Sequence, residues 1–139
     1  MEAAVNPTPS SQRTVRLLLI EDHAGLAEAT AEYLRSEGLE VRIAESGEEA
    51  LETAGVFQPE IVLCDLSLPD MSGLDVARAL RANPDTKDAV MALYSAMAES
   101  DVRTLERQVN PNEVNLFLSK PLTEDKLNKL LAGLDWNKA

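Results

Sequence analysis

The chain of 139 residues is poor in cysteine, basic groups, aromatics and long apolar runs. Its one cysteine, Cys64, excludes an internal disulfide. Cys64 lies inside an apolar run, which reads as an inert core thiol rather than a nucleophile. Lysine and arginine total 13 against 24 acidic residues, a net charge of −11. That balance argues against nucleic acid or an anionic membrane as a direct partner, because both would repel the domain. No apolar run approaches the roughly 20 residues of a membrane span. The first residues carry no apolar core of a signal peptide. A cytoplasmic location is the default expectation. At 139 residues the chain suits one domain with a real core and is too short for two.

What is present is an alternation of strand-like and helix-like stretches. Residues 61–65 read Ile-Val-Leu-Cys-Asp, a strand buried on both faces that ends in a carboxylate. The segment 68–73, Leu-Pro-Asp-Met-Ser-Gly, is rich in turn formers. Residues 15–20 form a second apolar strand, and it too ends in acid, Glu21-Asp22. Leu26, Ala27, Ala31 and Leu34 recur at helical spacing, and Gly38 stops that helix. Leu39, Val41 and Ile43 alternate with Glu40 and Arg42 as a strand with one wetter face. Residues 46–49, Ser-Gly-Glu-Glu, form a capping box that opens a helix to about Val56, and Gln58-Pro59 breaks it. Ser72 caps a helix ended by Asn83-Pro84. A fourth strand at 89–94 ends in Ser95, and a charged helix at 99–109 turns Val102, Leu105 and Val109 inward. A fifth strand at 114–118 ends in Ser119-Lys120-Pro121, and Thr123 caps a last helix through Leu134. The predicted fold is α/β: a doubly wound five-stranded parallel sheet with five helices on both faces. Residues 1–13 read as a disordered leader or linker, 14–135 as the folded domain and 136–139 as a short tail. Trp136 is expected to pack on the last helix or lie exposed.

The strand ends carry the chemistry. Glu21 and Asp22, Asp65, Ser95 and Lys120 all follow strands, and a doubly wound sheet brings those ends to one edge. Asp65 alone could merely cap a turn. Three carboxylates placed together repel one another and need a counter-charge to stay ionised. Mg²⁺ suits them, since it binds through one or two carboxylates, keeps waters and leaves room for a phosphoryl oxygen. Lys120 supplies a second, mobile positive charge and Ser95 a hydroxyl donor. Together these groups can neutralise the oxygens of a phosphoryl group in transfer. A carboxylate is the remaining nucleophile, and Asp65 is central.

Four motifs complete the pattern: Leu-Leu-Ile-Glu21-Asp22, Val-Leu-Cys-Asp65-Leu-Ser-Leu-Pro69-Asp-Met-Ser-Gly73, Tyr94-Ser95-Ala96 and Phe117-Leu-Ser-Lys120-Pro121. From about residue 14 to 134 the chain resembles the receiver domains of two-component response regulators, the CheY-like superfamily. The resemblance implies a flavodoxin-like sheet with strand order 2-1-3-4-5. It implies Mg²⁺ held by Glu21, Asp22, Asp65 and the backbone carbonyl of Ser67. It implies Asp65 as phosphoacceptor and a cis bond before Pro121. Ser95 would move toward the phosphoryl group, Phe117 would change rotamer with it, and the α4-β5-α5 surface would respond. The implied partner is a histidine kinase or histidine phosphotransfer protein, with a possible downstream protein or output domain. His23, the only histidine, is read as a loop residue and a poor phosphodonor. No output domain is expected after residue 134, so the chain is either a stand-alone receiver or a segment of a larger protein. The domain would be a phosphorylated signalling domain rather than an enzyme, assisting only its own phosphoryl transfer and autodephosphorylation.

The sequence also departs from the family pattern. Residues 109–114, Val-Asn-Pro-Asn-Glu-Val, replace the usual Gly-Ala segment before the fifth strand, and Phe117 lacks a tyrosine hydroxyl. Other readings fit less well. An interaction module that never carries phosphate would be expected to lose the acidic pair, the acceptor or the lysine. A haloacid-dehalogenase-like phosphatase wants an aspartate where Ser67 stands. A flavodoxin-like cofactor binder wants a phosphate-cradling loop where Glu21-Asp22 would repel the ligand.

Overall fold

A computed structural model describes residues 14–134. The expected leader at 1–13, the tail and Trp136 lie outside the described residues. The strands are β1 (Arg16–Ile20), β2 (Glu40–Ala44), β3 (Ile61–Asp65), β4 (Val90–Ser95) and β5 (Leu116–Ser119). The helices are α1 (Ala24–Ser36), α2 (Gly47–Phe57), α3 (Gly73–Ala82), α4 (Glu99–Gln108) and α5 (Glu124–Ala132). Every ladder is parallel and the order is β2-β1-β3-β4-β5. This is the doubly wound topology that the alternation predicts.

The sheet is covered on both faces, so its inner strands are apolar throughout. Val62 and Cys64 of β3 turn to one face, against α2, α3 and α4, in a core that includes Phe57, Leu80, Leu93, Val102 and Phe117. Ile61 and Leu63 turn to the other, against α1 and α5, with Leu34, Tyr94, Leu127 and Leu130. This is the period of two in a strand. Each leucine fully buried here contributes on the order of 1.5–3 kcal/mol relative to exposure.

Helix starts follow their caps. Ser72 and Asp75 form a complete capping box on α3. Thr123 accepts from Lys126 N on α5. At α2 the box predicted over 46–49 forms only halfway. Ser46 accepts from Glu49 N at 3.1 Å, but the Glu49 carboxylate turns to Glu45 N at 2.8 Å. Gly38, at φ +95°, makes the left-handed turn that ends α1. Strand and helix limits shift by one or two residues from those read in the sequence. The largest shifts are of two residues: α5 ends at Ala132 rather than 134, and β5 begins at Leu116 rather than 114. Asn115 just before it is a side-chain staple, its Oδ1 accepting from Met91 N and from Arg81 Nη2.

Arginines close the edge of the sheet where the strands begin. Arg81 of α3 donates to the carbonyls of Lys87, Ala89 and Glu113. Arg16 reaches the carbonyls of Phe57 and Gln58 and pairs with Glu60.

Candidate functional site

The opposite edge, at the strand C-termini, gathers the polar residues. Glu21 and Asp22 follow β1, Asp65 ends β3, Ser95 ends β4, and Lys120 follows β5. Glu21, Asp22 and Asp65 each offer one carboxylate oxygen, and these lie within 4.8 Å of one another. Their surroundings differ. Glu21 is buried, Asp22 exposed and Asp65 half-buried.

Burial of Glu21 requires partners, because an unpaired buried carboxylate is costly. It has three. Lys120 Nζ donates to Glu21 Oε1 at 2.6 Å, Tyr94 Oη donates to the same oxygen at 3.3 Å, and His23 N donates to Oε2 at 3.2 Å. Lys120 Nζ also donates to Asp65 Oδ2 at 3.0 Å and lies 4.8 Å from the Tyr94 ring centroid. Burial pulls the Lys120 ammonium down, but its bonds to Glu21 and Asp65 together outweigh this and hold it above the ordinary lysine value. Burial pushes the Tyr94 hydroxyl well up, reinforced by the charge of Glu21. Burial likewise pushes the Cys64 thiol up, so it stays protonated, with the neighbouring charge of Asp65 adding to the effect.

The loop after Asp65 is tied down on both sides. Ser67 N donates to Asp65 Oδ1 at 3.2 Å. Gly73 N donates to Leu66 O at 2.7 Å, and a Cβ on Gly73 would stand 2.6 Å from the Asp65 carbonyl oxygen. Only glycine lets α3 start this close behind the acidic strand end. Asp70 grips the start of α2, its two oxygens accepting from Gly47 N at 2.8 Å and Glu48 N at 2.9 Å. Those backbone bonds hold the Asp70 carboxyl below the usual aspartate range.

Ser95 is half-buried, and its Oγ accepts from Met97 N at 3.2 Å. Phe117 is buried in the core that α2, α3 and α4 cover, opposite Leu93 in the sheet register. Its carbonyl accepts from Arg103 of α4. The Lys120–Pro121 peptide is cis.

Three residues here were not singled out as site residues from sequence. Tyr94 is one, since its alternation fixes only a face and not the carboxylate its hydroxyl reaches. Asp70 is another, which the sequence gives only as a turn former. His23 is the third: it is the N-cap of α1, with Nδ1 accepting from Leu26 N at 3.0 Å. Histidine is not among the favoured caps, so a plain loop was the expected reading.

The donor set is all oxygen and close enough for a small hard cation. At the usual ~2.1 Å bond length, neighbouring ligands of Mg²⁺ stand about 3.0 Å apart and opposite ones about 4.2 Å. Oxygens within 4.8 Å of one another would draw together to reach that spacing. The residues present therefore fit the metal.

An open parallel sheet with an acidic cluster and a lysine at its strand C-termini is a doubly wound α/β domain whose ligand site lies at that edge. The family model for the response regulator receiver domain matches residues 17–132, and the chain belongs to that family. The cell cycle transcriptional regulator CtrA of Caulobacter vibrioides is 31% identical over 113 residues, 81% of this chain and 47% of CtrA. The chain thus spans about half the length of that relative. Among solved structures, the response regulator TrrA from Thermotoga maritima, in complex with Mg²⁺ and BeF, matches with a TM-score of 0.71 at 30% identity, covering 87% of this chain and 100% of TrrA. The receiver domain of the sensor histidine kinase PA1611 from Pseudomonas aeruginosa, with a magnesium ion in its active site cleft, matches at 0.72 and 25% identity, covering 86% and 95%.

Proposed function

We propose that Asp65 is the phosphoacceptor of this receiver domain, in a reaction that requires Mg²⁺. The observation that carries this reading is the convergence of Glu21, Asp22 and Asp65 with Lys120 at one sheet edge. Glu21, Asp22, Asp65 and the Ser67 carbonyl would hold the cation, which when bound offsets charge on the phosphoryl oxygens. The donor is a phosphohistidine on a partner histidine kinase or histidine phosphotransfer protein. An Asp65 oxygen attacks phosphorus, the bond from phosphorus to the histidine nitrogen breaks, and an aspartyl phosphate remains. Lys120 already touches Asp65 and has only to rotate to meet a phosphoryl oxygen. Water later cleaves the acyl phosphate, an autodephosphorylation that the same residues assist.

The phosphoryl group adds about −1.5 to −2 charges and three acceptor oxygens. Ser95 turns its hydroxyl from Met97 N toward one of them. Phe117 shares a sheet face with Ser95, and it repacks into the space behind β4. The surface of α4, β5 and α5 then changes and is read by a downstream protein or output domain. Direct contact of this acidic domain with nucleic acid or a membrane is no part of the reading. The receiver domain is assigned to 14–135, flanked by a leader at 1–13 and a tail at 136–139, in a cytoplasmic protein.

Beryllofluoride with Mg²⁺ tests the switch. Amide shifts are expected around Asp65 and, beyond it, across residues 95–134. Ser95→Ala removes a hydrogen bond to a charged group, worth roughly 1.5–3 kcal/mol. It should keep the local shifts and lose the distant ones. A wild type whose shifts stop at the immediate site would contradict the switch and leave only a phosphate sink.

A further inference from the structure

The apolar face beneath α1 and α5 needs an aromatic ring at position 94, and it does not need a hydroxyl. Tyr94 is 1% exposed, packed among Leu63, Leu127 and Leu130. A hydroxyl buried there without a partner would cost about 1–3 kcal/mol. Tyr94 spends it on the acidic cluster, donating to Glu21 Oε1. Thr30 of α1, itself buried, also acts on that hydroxyl, pulling its pKa down against the effect of burial.

We propose that the Tyr94 hydroxyl is a positioning group for Glu21 and thereby sets the affinity of the acidic cluster for divalent cations. This rests on reading the cluster as the cation site. A carboxylate oxygen has about two lone-pair sites. Those of Oε1 are taken by Lys120 and Tyr94, while Oε2, among the described residues, accepts only from His23 N. The open lone pair is therefore on Oε2. Lys120 is shared with Asp65, and a phosphoryl oxygen there would compete with Glu21 for it. Tyr94 then becomes the side-chain donor that remains on Oε1. It keeps Glu21 from rotating while the ammonium moves, and it fixes which oxygen faces a cation. The Lys120 ammonium rests over the Tyr94 ring, so one side chain orients both the carboxylate and the cation that competes for it.

Partners of this outer kind are worth about 10–100-fold in metal affinity. A neutral donor at 3.3 Å belongs at the low end. Tyr94→Phe keeps the ring and removes the hydroxyl, so the packing stays. Thr30→Val removes the buried Thr30 hydroxyl that acts on Tyr94 and leaves the bond to Glu21. Calorimetric titration with Mg²⁺ alone should give a Kd about tenfold weaker for Tyr94→Phe and close to wild type for Thr30→Val. Urea melts of both metal-free variants separate affinity from stability, and both should lose some. The ¹³C shift of the metal-free Glu21 carboxylate should move in Tyr94→Phe only. A Tyr94→Phe Kd within about twofold of a binding wild type, or an equal loss in Thr30→Val, overturns the positioning role alone. A wild type that takes up no Mg²⁺ overturns the cation site, and this role with it.

Discussion

The two edges of the sheet use charge differently. At the strand N-termini, Arg81 and Arg16 spread their donors over backbone carbonyls of Phe57, Gln58, Lys87, Ala89 and Glu113. Every donor there meets an acceptor already fixed by the fold, so the network is closed. At the strand C-termini, three carboxylates gather beside one ammonium, which pairs with Glu21 and Asp65. That edge carries surplus negative charge in a half-buried setting, which a fold left to itself would avoid. The closed edge stabilises the domain, and in the function proposed above the open edge takes positive charge from outside. On that reading stability and function occupy opposite ends of the same strands.

The sharpest way to break the contrast is to remove the one ammonium. Lys120→Met leaves buried Glu21 without its charged partner, a change that typically costs about 3 kcal/mol or more. Urea denaturation without metal should show that loss, and saturating Mg²⁺ should recover more stability in this variant than in wild type. On the other edge, Arg81→Ala orphans several carbonyls, at about 2 kcal/mol. Its Mg²⁺-induced rise in melting temperature should equal that of wild type, since the edges are independent. Asp22→Ala acts in the opposite sense. It relieves repulsion, so the metal-free protein should melt at the same temperature or slightly higher, while the Mg²⁺-induced rise disappears.

The smallest effect sharpens the comparison at the rim. Asp70 joins the acceptor loop to the start of α2 through two backbone bonds. Its folded carboxyl value is depressed by those bonds. Its contribution is therefore full above the unfolded value, about 3.9, and is lost as pH falls through the depressed folded value. Thermal melts of Asp70→Ala should trail wild type at pH 5–7, and the gap should close below about pH 4.

Much of this was legible in the sequence, for physical reasons that differ by residue. Parallel strands covered on both faces are apolar along their buried length, so residues 17–20, 61–64 and 90–94 announce themselves. The positions of Glu21, Asp65, Ser95 and Lys120 follow from topology, because parallel strands end on one side. What topology cannot supply is the direction of a side chain beyond its strand. Glu21 and Asp22 read as equals, yet one is buried and the other exposed. Tyr94 reads as core, and its hydroxyl gains meaning only once Glu21 turns inward beneath Lys120. Glu49 looks like the second half of a capping box, but Glu45 N offers it a competing donor. Such outcomes depend on contacts between segments far apart in the chain, or on competition among near-equal local bonds.

The central claim is that the surplus negative edge accepts a phosphoryl group at one atom. The direct measurement is peptide mapping by mass spectrometry after exposure to a small acyl phosphate, with Mg²⁺ and with chelator. The account predicts one phosphoryl group, on Asp65, formed with Mg²⁺ and absent under chelation or in Asp65→Asn. Phosphate on any other residue, undiminished uptake by Asp65→Asn, or modification indifferent to Mg²⁺ would contradict it.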